Sequence, residues 1–187
     1  MKPINIFPDI ETMQKGISEK DYAKPYSGPI PIEMNNGKLL RNSVETKNPR
    51  EDSVKFALMN LGIPSYYELM QFPLSNGKAY YPDFITSIFF NGRQVILEPH
   101  GSVDYSYMKK LNEFIVEYHF YVVLISNKPP PKLKAAGANP EDFIDEYWFI
   151  KGFYNTENEI KYNTKKVEKN IKKLLRKPNV EIAPSPL

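Results

Sequence analysis

Hydrophobic positions first recur with a helical period after Pro49. In REDSVKFALMNLGI, Val54, Leu58 and Leu61 follow the i, i+4, i+7 spacing of one buried stripe, and Phe56 and Ala57 widen it. Glu51 and Asp52 stand in the first turn, where acids favour the positive helix end, and Gly62 is placed to stop the helix. The pattern then changes to strand-like segments. SYYELMQF (65–72), AYYPDFITSIFF (79–90) and QVILEP (94–99) are rich in strand formers, and the turn signals LSNGK and NGR separate them. A second helical face follows in VDYSYMKKLNEFIVEYH, carried by Tyr107, Leu111, Phe114, Ile115 and Tyr118. FYVVLIS is almost wholly apolar, as expected of a strand buried on both faces.

The remaining segments are less regular. NKPPPKLKAAGANP reads as a loop rich in proline and glycine, EDFIDEYWFIKGFY as a short helix running into a strand, and PNVEIAPSPL as a tail. The last helix is TKKVEKNIKKLLRK, with Val167, Ile171, Leu174 and Leu175 on one stripe and lysines elsewhere. Residues 1–40 have recurring prolines and no sustained period. They predict an irregular N-terminal arm with a short extended piece at 30–34, followed by the turn NNGK. Residues 41–187 are then expected to form one mixed α/β domain, a central mixed sheet flanked by helices, ending in the basic helix.

Composition narrows the function classes. There is no cysteine, which excludes disulfides, thiolate metal sites and cysteine nucleophiles. No apolar run approaches the roughly 18 residues of a membrane span. The start, MKPINIFPDIETMQKG, lacks a basic segment followed by a long apolar core, so an intracellular, cytoplasmic protein without a signal peptide is expected. The net charge is only +3, but positive charge concentrates in residues 163–177.

The candidate chemistry lies in YYPDFITSIFFNGRQVILEPHG. Asp83 stands well before the NGR turn and Glu98 a few residues after it, so a hairpin can bring both to one edge of the sheet. The turn chemistry leaves room for a bulge, so no residue pairing follows from the sequence. Two neighbouring carboxylates repel unless a cation sits between them. A hard divalent ion such as Mg²⁺, which takes one or two carboxylates and a substrate phosphate, is the natural occupant. Glu68 and Gln94 are nearby polar residues read as structural or exposed, and His119 as a packed or surface histidine.

These residues resemble the PD-(D/E)xK nuclease superfamily, which has the restriction-endonuclease-like fold. Pro82-Asp83 and Glu98-Pro99-His100 match its motif, with histidine in place of the final lysine. The resemblance covers about residues 45–127, through the helix EDSVKFALMNLGI, the strand YYPDFIT, the segment ILEPHG, and the helix and strand that follow. It implies a metal-dependent deoxyribonuclease using Mg²⁺ or Mn²⁺, with Asp83 and Glu98 as ligands and Glu51 as a further one. In the place of the lysine, His100 is a neutral general base, a ligand for a softer ion such as Mn²⁺ or, where the Asp83–Glu98 carboxylates raise its pKa, a charged stand-in for the lysine. Alternatively, the positive charge has moved to Lys109 or Lys110, or activity has been lost. In the last case the chain is a DNA-binding or assembly module that keeps the fold. Lys165, Lys166, Lys169, Lys172, Lys173 and Arg176 on the final helix are the expected phosphate contacts. A homodimer or a protein partner also fits the resemblance and the proline-rich arm.

Overall fold

The structure is a computed structural model that describes residue 46, residues 48–68, 70–153 and 156–183, and three short strands nearer the N-terminus. Those strands are β1 (Ile30–Pro31), β2 (Met34–Asn35) and β3 (Lys38–Leu39). β2 and β3 pair antiparallel. The rest of residues 1–40, and so most of the expected arm, lies outside the described residues.

Helix α1 (Pro49–Asn60) begins where the spacing predicts it. The Asn48 side chain accepts from the N–H groups of Arg50 and Glu51, satisfying two donors that the first turn leaves open. The expected 65–72 strand is divided. β4 (Ser65–Tyr67) ends at Glu68, whose φ of 42° turns the chain, and β5 (Met70–Pro73) belongs to a different sheet. The expected 79–90 strand is divided as well, into β6 (Ala79–Tyr80) and β7 (Phe84–Phe90). Pro82 lies in the gap, where it has no N–H to give a ladder. β5 pairs with β1 and β6 in a small antiparallel sheet.

β7 turns through Asn91 and Gly92, both at positive φ, into β8 (Arg93–Pro99). Helix α2 (Tyr105–Tyr118) and strand β9 (Tyr121–Ser126) follow. Residues 130–135 correct the loop expectation: they form a short helix, α3 (Pro130–Ala135). Its prolines fall in the first turn, where a missing N–H costs no helical hydrogen bond. Strand β10 (Glu146–Phe149) and helix α4 (Ile160–Leu174) come next. The supposed tail contains β11 (Val180–Ile182), which pairs with β7.

The main sheet runs β10-β9-β8-β7, and the outer edge of β7 is shared by β4 and β11. β8, β9 and β10 are parallel, whereas β7 is antiparallel to β8, so the sheet is mixed. One face is covered by α1 and α4 through Val54, Ala57, Leu58, Val167, Ile171 and Leu174. The other face is covered by α2 and by Phe72 and Tyr80 of the small sheet. Among the described residues, no helix is long and apolar enough to cross a membrane.

Candidate active site

The β7–β8 register changes partway along the hairpin. Next to the turn, Phe90 faces Arg93 and Phe89 faces Gln94; further on, Ile85 faces Ile96 and Phe84 faces Leu97. Thr86, Ser87 and Ile88 are thus accommodated opposite Val95 alone. Thr86 Oγ1 donates to the Val95 carbonyl at 2.8 Å and accepts from the Ile88 N–H at 3.2 Å. The buried Gln94 side chain donates to the Thr86 carbonyl at 2.8 Å, so its role is structural, as read from the sequence. Continued without the shift, the register at the turn would put Asp83 opposite His100. With it, Asp83 stands opposite Glu98.

The two acids do meet. The Asp83 N–H donates to Glu98 Oε1 at 2.9 Å, and the Asp83 side chain acts on the Glu98 carboxylate as well. The Tyr107 hydroxyl donates to Glu98 Oε2 at 3.1 Å. The Tyr80 hydroxyl faces the same carboxylate without standard hydrogen-bond geometry. Glu98 is only 2% exposed. Burial pushes its pKa up to about 7, and the surrounding donors pull against that rise. Burial and the Glu98 charge both raise the Tyr80 and Tyr107 hydroxyls well above the usual phenol range, so both remain donors.

The donor set fits a hard divalent cation. Asp83 and the buried Glu98, whose pKa is raised, are the carboxyl groups that could hold Mg²⁺ or Mn²⁺ in place of a proton. Glu51 does not join them. Among the described residues, no three acidic or histidine side chains come together as a metal site. The reason is topological: α1 packs against the opposite sheet face from Glu98. There the Glu51 carboxylate accepts from Tyr67 and Asn48. Glu68 is buried, and its N–H donates to the Asp83 carbonyl at 2.9 Å, which anchors the backbone of the acid pair.

His100 extends the β8–β9 ladder through its N–H, bonded to the Ile125 carbonyl at 2.9 Å. Its ring stacks on Tyr107 with centroids 3.9 Å apart and planes 8° apart. Burial lowers its pKa, Arg50, Lys128 and Lys110 lower it further, and Asp104 opposes them. The acid acting on His100 is therefore Asp104, where the sequence suggested the Asp83–Glu98 pair. Burial and the nearby cations thus favour the neutral imidazole.

Arg50 was not singled out from the sequence. Its Nε donates to the Phe153 carbonyl at 3.0 Å, and its guanidinium lies over Gly101. A Cβ on Gly101 would come within 2.4 Å of Arg50 Nη1, so only glycine leaves that space free. No local pattern announces a contact across so many residues. Lys110 lies over the Tyr80 ring at 5.3 Å and feels the Glu98 charge, so it does point toward the acid pair. Lys109 is exposed on the same helix.

On α4, Lys165, Lys169, Lys172 and Lys173 are exposed, as is Arg176 just beyond it. Lys166 instead donates to the Lys151 carbonyl at 3.1 Å and covers the Tyr162 ring. The whole helix packs on the sheet face opposite the acid pair. His119 is the left-handed cap of α2, with φ 59°, and its carbonyl accepts from Arg93 Nε. No protein-family profile matches the chain, and no curated protein matches it in sequence.

Proposed function

We propose that the protein is a metal-dependent nuclease that hydrolyses DNA phosphodiester bonds. The observation that carries this reading is the contact between Asp83 and the buried, proton-binding Glu98, on the two motif segments that resemble PD-(D/E)xK nucleases. Asp83 and Glu98 would hold the Mg²⁺ or Mn²⁺. Such an ion, when bound, polarises a phosphate and lowers the pKa of water. Tyr107 and the Asp83 N–H fix the Glu98 carboxylate, so its oxygens are oriented before any ligand arrives. Neutral His100 is suited to accept a proton. Lys110 and Arg50 are suited to offset phosphate charge in the place of the missing lysine.

A second reading is favoured by the lack of a third acidic or histidine ligand among the described residues. It is a DNA-binding or assembly module that retains the fold without the activity. Incubation of single-stranded, duplex and branched DNA with Mg²⁺, Mn²⁺ or chelator separates the two. Cleavage that requires the ion and is lost in Asp83→Ala supports the nuclease. Binding with no cleavage of any DNA form in either ion supports the module.

A further inference from the structure

Beside the acid pair is a cleft of about 640 Å³. Tyr107 belongs to its wall and also bonds Glu98, so the cleft and the pair share one side chain. Lys78, Lys109 and Lys110 line the cleft. Lys78 comes from the loop between β5 and β6. That loop is tied to α2, because Glu117 accepts from the Ser75 N–H at 3.0 Å and from its hydroxyl at 2.6 Å.

The acids on the wall are already engaged locally. Asp104 caps α2 by accepting from the Tyr107 N–H at 2.9 Å, and Glu113 accepts from Asn76. Among the described residues, neither Lys78 nor Lys109 has an ion-pair partner, and Lys78 is close enough to disfavour the charge on Lys110. Three ammonium groups against the two wall carboxylates leave the lining net positive, which favours an anionic ligand. Ser102 and Ser106 add neutral donors. The volume is within the roughly 300–1,000 Å³ of small-ligand clefts, room for a nucleotide.

We infer that this cleft binds a nucleotide-sized, single-stranded stretch of DNA, with its phosphates against Lys78, Lys109 and Lys110. The inference rests on the nuclease reading and specifies its substrate: an unpaired strand beside the scissile bond.

The test is fluorescence anisotropy of a labelled tetrathymidylate with the metal-free protein. Lys78→Glu with Lys109→Glu is expected to weaken binding about tenfold or more, with a shallower salt dependence. Both residues are exposed, so the fold is kept. Lys151→Glu with Lys161→Glu, two exposed lysines outside the cleft, is expected to leave affinity unchanged. A blunt duplex is expected to compete poorly. Equal effects from the two double variants, or equal competition by duplex, overturn the inference. Failure of the nuclease reading is separately visible: no DNA is cut with Mg²⁺ or Mn²⁺, while tetrathymidylate binding that depends on Lys78 and Lys109 still upholds the cleft.

Discussion

The Asp83 N–H donates to Glu98 Oε1 at 2.9 Å, so the backbone of one acid holds the carboxylate of the other. Removing the Asp83 side chain leaves that bond in place. Asp83→Ala and Glu98→Gln are expected to lower cleavage about 100-fold or more while circular dichroism remains native. Cleavage by either variant at the wild-type rate would remove the acid pair from the chemistry.

Glu98 gives the metal-free protein a defined pH response. Its folded pKa of about 7 lies above the ordinary value of 4.5, so the native state binds this proton more tightly than the unfolded chain. The associated stability is complete below about pH 4.5 and is lost as pH rises to about 7, amounting to roughly 3 kcal/mol at most. Thermal melts in chelator are expected to show Glu98→Gln flattening this component. Mg²⁺ or Mn²⁺ at pH 8 is expected to raise the wild-type Tm and leave that of Glu98→Gln unchanged.

Gly101→Ala places a methyl group where Arg50 Nη1 now lies. The guanidinium is the flexible end of a long side chain, so the expected stability loss is modest, about 1 kcal/mol. Its displacement takes a cation away from His100, whose pKa is expected to rise toward the ordinary value. NMR titration of the imidazole measures this, and Arg50→Met is expected to move the pKa in the same direction. An unmoved His100 titration in both variants would show that Arg50 does not tune it.

Thr86 secures the bulge that sets the register. Thr86→Val leaves the buried Val95 carbonyl without its hydroxyl donor, at an expected cost of about 1–3 kcal/mol. Divalent-ion affinity is expected to fall with stability. Thr86→Ser keeps the hydroxyl and is expected to restore both in paired calorimetric measurements.

The elements with strong periodicity are legible in the sequence. α1, α2, β9 and α4 follow their hydrophobic stripes, except that Phe56, expected to widen the α1 stripe, is exposed, and Asn91-Gly92 marks the β7–β8 turn. The meeting of Asp83 and Glu98 was legible only as a possibility of the hairpin, because the register depends on a bulge whose hydrogen bonds are made by Thr86 and Gln94. Single strands were read where the chain leaves one sheet for another, since Glu68 and Pro82 interrupt the ladder without interrupting the apolar pattern. β11 is too short to show a period, and its pairing is with a distant strand. Glu51 sits at a suitable place in its helix, yet the helix lies on the wrong side of the sheet. Arg50 was hidden by its neighbour: the notable glycine and the arginine above it are far apart in sequence.

Tyr107 has an unusual set of attachments. Its hydroxyl holds Glu98, its ring carries His100, and its backbone N–H binds the Asp104 cap of α2. It also lines the cleft. A rotation of this one ring would withdraw a proton donor from the carboxylate and a flat support from the imidazole together. A ligand in the proposed cleft and a cation at the proposed metal site would therefore share a mechanical pivot. Any cooperativity between them must be equal in both directions, with the cation strengthening strand binding by the same factor as the strand strengthens cation binding.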